Sequence, residues 1–209
     1  MFLAGGDNWN GNTGRTTNTG NNNTVLFDPL SNSMRSGNNI NRARWYGTVT
    51  TLSDSQIFIM GGAGGADISE VRAKDGTFKT LPDAVTGEID YWYPRNFLTR
   101  DDRIFGLDSR GRMVYVDPRD RGYVQRHSYL NQDLVGNGSS AVMYSPGQIL
   151  QIGASTNRAV RMGIDYPLPK VTETARLSSA RFWGSTTVLP DGKVLVTGGS
   201  AQDNRLVGV

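Results

Sequence analysis

The sequence predicts an all-β chain of repeated antiparallel hairpins, on three observations. Four segments share one gap-free pattern, and their first positions, 46, 93, 138 and 183, are spaced by 47, 45 and 45 residues. Each segment runs from an apolar stretch through a tight turn into a second apolar run that mostly closes on glycine. Gly, Pro and turn dipeptides punctuate the chain too often for a long amphipathic helix. Four strands in about 45–50 residues, closing on Gly-Gly, is the blade of a kelch-type β-propeller. The expected fold is therefore a β-propeller fragment of about four blades. Residues 1–209 form one partial domain, with repeats at about 1–45, 46–92, 93–137, 138–182 and 183–209.

Phe2-Leu3-Ala4-Gly5-Gly6 reads as the end of one further copy, a strand entering a turn, with no charged signal-peptide region before it. Arg205-Leu206-Val207-Gly208-Val209 likewise reads as strand, so both ends are expected to fall inside structure. Residues 8–41 hold 11 of the 16 Asn and read as polar surface loops around the strand Thr24-Val25-Leu26-Phe27-Asp28. The first full repeat runs from Tyr46 through the Ser53-Asp54 turn to Gly61-Gly62. The second runs from Tyr93 through Asp101-Asp102, the third from Gly138 through Pro146-Gly147 to Gly153, and the fourth from Trp183 through Asp191-Gly192 to Gly198-Gly199. Asp and Gly suit such turns because they tolerate positive φ. The second runs, such as Ile57-Phe58-Ile59 and Val194-Leu195-Val196, are apolar at every position, which predicts strands buried on both faces. Met113-Val114-Tyr115-Val116-Asp117 reads as a further strand.

Composition narrows the chemistry. The 209 residues carry 22 Lys and Arg against 19 Asp and Glu, a net charge of +3, with a mean hydropathy of −0.42. That charge is too small and too dispersed to argue for nucleic acid, and no apolar run approaches the roughly 20 residues of a membrane span. There is no Cys, which removes disulfides, thiolate metal sites and a Cys nucleophile from this stretch. The single His, His127, removes a self-contained multi-His site. Asn22-Asn23-Thr24 and Asn137-Gly138-Ser139 are glycosylation sequons.

Arg44-Trp45-Tyr46 before Thr48-Val49-Thr50-Thr51-Leu52 and Gly61-Gly62, then Tyr93-Pro94, Ser140-Ala141-Val142-Met143-Tyr144 and Val188-Leu189-Pro190-Asp191-Gly192, resemble the ordered blade signatures of the galactose oxidase and glyoxal oxidase family. The glyoxal oxidase branch is the more similar, and the resemblance runs from Phe2 to Gly199. It implies a seven-bladed propeller carrying a copper-radical oxidase: an aldehyde or primary alcohol, including a carbohydrate, is oxidised while O₂ becomes H₂O₂. It implies an extracellular or cell-envelope location. It also implies that Tyr46 is both metal ligand and catalytic radical, cross-linked to a Cys. The equivalent of that Cys lies 15 residues before Gly5, as Tyr46 lies 15 before Gly61, which puts it outside this segment. The family's axial Tyr and two His ligands belong to later blades, and His127 falls in an inter-blade stretch that matches neither. Galactose oxidase places a Trp over the radical in the loop after this Gly-Gly. Here that loop is Ala63-Gly64-Gly65-Ala66, a departure that argues against galactose as substrate.

Positions 46, 93, 138 and 183 are equivalent in neighbouring repeats and should ring one end of a propeller axis, where several blades can contribute ligands. A phenolate is a reasonable Cu(II) ligand, with imidazole its usual companion. The plain alternative for Tyr46 is an aromatic filling space between blades, as Tyr93 and Trp183 suggest by standing at equivalent positions. Asp101 reads as a turn residue, Glu88 and Asp90 lack a placeable partner, Asp67-Ile68-Ser69-Glu70 could touch calcium, and Arg119 to His127 reads as a solvated loop. Two functions remain: part of a copper-radical oxidase, inactive alone, or a non-catalytic kelch-type propeller binding a glycan or protein.

Overall fold

Short Asp turns fix where the strands end. Asp28, Asp54, Asp75, Asp108, Asp117 and Asp191 each accept, through Oδ1, the backbone N–H two residues on, at 2.9–3.1 Å. This is the side-chain mimic of a backbone turn that Asp supplies best. The computed structural model describes residues 1–8, 19–90, 92–136, 138–165 and 167–203. Over these the chain forms five sheets, each of consecutive strands.

The first sheet contains β1 (Phe2–Ala4), β2 (Thr24–Asp28) and β3 (Ser33–Ser36). The second contains β4 (Trp45–Thr51), β5 (Ile57–Ala63), β6 (Ile68–Arg72) and β7 (Phe78–Val85). The third contains β8 (Arg95–Leu98), β9 (Ile104–Leu107), β10 (Arg112–Asp117) and β11 (Tyr123–Tyr129). The fourth contains β12 (Ser140–Ser145), β13 (Gln148–Ile152), β14 (Ala159–Gly163) and β15 (Lys170–Glu173), and the fifth β16 (Ser185–Val188) and β17 (Val194–Thr197). Neighbours pair antiparallel, as in Thr48↔Met60 of β4 and β5 and Val142↔Leu150 of β12 and β13. Among the described residues the one helical element is a 3₁₀ turn, Gln132–Leu134, whose Asn131 side chain accepts the Asp133 N–H. The all-β expectation holds. No helix is long and apolar enough to cross a membrane among the described residues. Residues 204–209, where a further strand was expected, and Asn137 of the second sequon lie outside the described residues.

The chain divides into two compact units. One is Met1–Asn96 with Val116–Gln125, the other Phe97–Tyr115 with Arg126–Val209. In the first, Phe58, Ile59, Met60, Leu81 and Ala84 are buried. In the second, Phe105, Leu107, Met113, Tyr115, Ile149, Val160, Met162 and Ile164 form one apolar cluster. Second strands buried on both faces are found at β5 and β13. They are not found at β17, where Leu195 is 46% exposed. The reason is pairing: β5 and β13 each lie between two strands, whereas β17 pairs only with β16 among the described residues. The stretch before His127 also differs from the expected loop, since residues 123–129 form β11. Polar residues alternating with Val124 on an outermost strand give a weak apolar signal.

Candidate functional site

Tyr46 stands at the head of β4 in left-handed backbone, φ 69°. Tyr93 and Trp183, at equivalent repeat positions, share it with φ 44° and 61°. Left-handed backbone in a non-glycine residue costs of order 1–3 kcal/mol and persists where surrounding contacts impose it. Those contacts are visible. The Tyr93 N–H donates to the Tyr46 carbonyl at 3.2 Å, and Thr48 Oγ1 donates to the Pro94 carbonyl at 2.7 Å. The Trp183 N–H donates to the Gly138 carbonyl in the same way, at 2.8 Å.

Four aromatic rings meet here. The Tyr46 ring stacks on Trp45 at 3.9 Å and on Trp92 at 4.9 Å between centroids, and meets Tyr93 at 4.4 Å with a 52° tilt. Trp45 and Trp92 are 5.7 Å apart. Tyr46 is half-buried and Tyr93 is 39% exposed. Partial burial and a hydrogen bond to the Tyr46 phenol push the Tyr93 phenol from its ordinary 10.0 up to about 12.

Arg44 holds this strand head from below. It is 1% exposed, and Glu70 is fully buried. Nε and Nη2 of Arg44 donate to Glu70 Oε1 at 3.2 and 2.9 Å, Nη1 donates to the carbonyls of Gly61 and Gly65, and Nη2 donates to that of Ile68, each at 2.6 Å. The carboxylate also accepts the backbone N–H groups of Asn41 at 2.7 Å and Arg42 at 3.1 Å. A single guanidinium thus ties the loop after Gly61-Gly62 to the residues just before Tyr46. The loop is small-residued for a packing reason: a Cβ on Gly65 would lie 2.9 Å from Arg44 Cγ and from Arg42 Cβ. Burial lowers the Arg44 pKa and the Glu70 charge opposes that shift.

The other sequence candidates disperse. Glu70 is committed to Arg44 and two N–H groups, which removes the calcium reading of residues 67–70. Asp101 accepts from Thr99 Oγ1 at 2.5 Å and pairs with Arg103 at 2.8 Å, a turn role as expected. His127 lies on β11, edge-on to Tyr115 at 5.1 Å, with its buried Nε2 unbonded. Burial, then the Arg103 charge, lowers its pKa. A polar cleft of about 440 Å³ in the second unit is lined by Arg100, Asp101, Gln148 and Asp165, and Arg100 pairs with Asp165 at 3.0 Å. Sequence reasoning missed Trp92 as a neighbour of Tyr46 and Glu70 as the partner of Arg44. A signal for Trp92 existed: Trp45-Tyr46 and Trp92-Tyr93 repeat one dipeptide at the repeat spacing.

The residues present supply oxygen donors from Tyr46 and Tyr93. No group of three or more His, Cys, Asp or Glu able to hold a metal occurs among the described residues. The local donor set therefore fits one phenol ligand to a metal and not a whole coordination sphere.

Neither protein-family models nor curated proteins give a match to this chain. Among solved structures, the chain is similar to a fungal alcohol oxidase of the AA5 family, in complex with copper. The TM-score is 0.73 and the identity 20%, over 85% of this chain and 42% of that one. The chain thus spans less than half the length of that oxidase, and the likeness is one of fold.

Proposed function

We propose that this chain is part of a copper-radical oxidase-like protein that oxidises an aldehyde or primary alcohol, a carbohydrate included, while reducing O₂ to H₂O₂. The observation that carries the reading is the packing of Tyr46. A half-buried phenol at a strand head, in strained backbone, is enclosed by Trp45, Trp92 and Tyr93 within a fold shared with a copper alcohol oxidase. In this reading the sheets are blades of one seven-bladed kelch-type propeller, and residues 1–209 are part of that single domain. The protein acts outside the cell or at its envelope.

Tyr46 is the residue of this chain that would hold copper, through its phenolate oxygen. The metal, with a Tyr46–Cys cross-link whose Cys lies outside these residues, supplies the two-electron redox chemistry. The chain's own residues do three things. Arg44 and Glu70 fix the strand head. Trp45 and Trp92 stack on the Tyr46 ring and cover part of it. Tyr93 packs its ring against that of Tyr46.

Tyr46→Phe in the full-length, copper-loaded protein tests this. The ring that packs remains and the oxygen is lost, so oxidation of small aldehydes and alcohols should fall to background while the far-UV spectrum and melting temperature stay near wild type. Wild-type turnover in the Phe variant would make Tyr46 a packing residue. One observation favours the second reading, a non-catalytic kelch-type propeller binding a glycan or protein: Trp183 adopts the same left-handed backbone at the equivalent position with no metal-binding atom. Failure of the full-length protein to take up copper would favour it.

A further inference from the structure

We propose that Tyr46 and Tyr93 are a built-in site of oxidative cross-linking, joined ring to ring when the protein meets a peroxidase and H₂O₂. The two rings approach to 4.4 Å between centroids at a 52° tilt. Their backbones are tied by the Tyr93 N–H to Tyr46 carbonyl bond. Both residues sit in left-handed backbone, so neither ring is presented by an ordinary extended strand. Both belong to the same compact unit. Tyr93 is 39% exposed and gives an external oxidant access to the pair, and Tyr46 lies behind it against the two indoles.

The chemistry balances simply. Each phenol gives up one electron and one proton. The two phenoxyl radicals couple through ring carbons ortho to their oxygens, and both hydroxyls are regenerated as the rings regain aromaticity. The two electrons and two protons reduce one H₂O₂ to two waters through the peroxidase. Radical coupling between tyrosines is ordinarily limited by encounter. Here the partners are already in contact, the same advantage that positioning gives any two-centre reaction. The exposed Tyr123 and Tyr129, 63% and 58% accessible, provide an internal comparison because they stand at the two ends of β11, too far apart to couple with each other. The link would close a loop from residue 46 to residue 93 and tie the head of β4 to the lead-in of β8. The inference stands apart from the copper reading, because peroxidase supplies the oxidising equivalents and no metal at Tyr46 is involved.

The test is peroxidase with limiting H₂O₂ on the copper-free full-length protein at low protein concentration, then tryptic digestion and mass spectrometry. Tyr46 falls in the peptide of residues 45–72 and Tyr93 in that of residues 80–95. The expected product is these two peptides joined with the loss of two hydrogens, accompanied by blue dityrosine fluorescence in the monomer fraction. Tyr91 shares the second peptide, so Tyr93→Phe and Tyr91→Phe are compared, and the adduct should vanish only in the former. Wild type in denaturant is a second control that needs no variant to fold, and the adduct should fall there to the level of random tyrosine pairs. Three results would each overturn the proposal: persistence of the adduct in Tyr93→Phe, equal yield in denaturant, or its absence from native protein while Tyr123 and Tyr129 couple between molecules.

Discussion

Arg44 shows how one residue can decide the geometry around a candidate site. Its guanidinium is surrounded by one carboxylate and three backbone carbonyls, and the Glu70 carboxylate by that guanidinium and two N–H groups. Removing one partner of a buried pair leaves the other charge uncompensated, typically at 3–5 kcal/mol. Arg44→Met should therefore destabilise the protein by about that much in urea unfolding. The double variant Arg44→Met with Glu70→Leu should recover part of the loss, because no lone charge remains buried. Equal stability of Arg44→Met and wild type would show that the pair does not hold the fold. If Arg44 also positions Tyr46, the near-UV circular dichroism of the Trp45–Tyr46–Trp92 stack should change in Arg44→Met even under conditions where the chain stays folded.

At the scale of elements, the hairpin turn is the repeated device. Asp54 and Asp191 occupy equivalent corners, and hydrogen bonds from Gln56 and Lys193 hold both carboxyls below the usual 3.8. The folded chain therefore binds a proton at these carboxylates less tightly than the unfolded chain does. With a lowered folded-state pKa, the contribution to stability is present above about pH 4 and is lost as pH falls through the folded value. Asp28, Asp75, Asp83 and Asp101 share that direction. Asp54→Asn should keep the turn, since the amide oxygen still accepts the Gln56 N–H, and should weaken the acid dependence of the melting temperature. Asp54→Ala should lower the melting temperature by at most about 2 °C at neutral pH, with the gap closing below about pH 3. Scanning calorimetry across that range checks both. An unchanged gap at low pH would mean that the carboxylate is not what stabilises the corner.

For the whole molecule, two phenols among the described residues, Tyr93 in one unit and Tyr115 in the other, bear on stability on the alkaline side. Burial pushes Tyr115 up to about 12, and its hydroxyl donates to the Ile164 carbonyl at 2.7 Å. Tyr93 is raised to about 12 as well. Between pH 10 and 12 the unfolded chain has lost these protons and the folded chain retains them. Raising pH through that window therefore favours unfolding. Unfolding free energy should fall from about pH 9 to about pH 12, and Tyr115→Phe should make that limb shallower. At neutral pH the same variant should be less stable by about 1–3 kcal/mol, because a buried carbonyl loses its donor. An alkaline limb unchanged in Tyr115→Phe would remove Tyr115 from the account.

The sequence by itself determined what is local and periodic. The spacing of 46, 93, 138 and 183 placed the hairpins, Asp and Gly marked their corners, and the same spacing put Tyr46 and Tyr93 at equivalent strand heads. These follow from turn chemistry and side-chain alternation, which act over a few residues and leave their mark in the order of the chain. Only the tertiary structure decided that Arg44 spends its charge on Glu70, 26 positions away, that Trp92 from the end of the same repeat and Tyr93 from the start of the next close on Tyr46, and that His127 packs edge-on to Tyr115. It also left Leu195 exposed on a strand whose apolar run reads as core. The reason is that burial belongs to a pair of surfaces: an apolar run or a charge is written in one segment, but what covers or neutralises it is a strand from elsewhere in the chain.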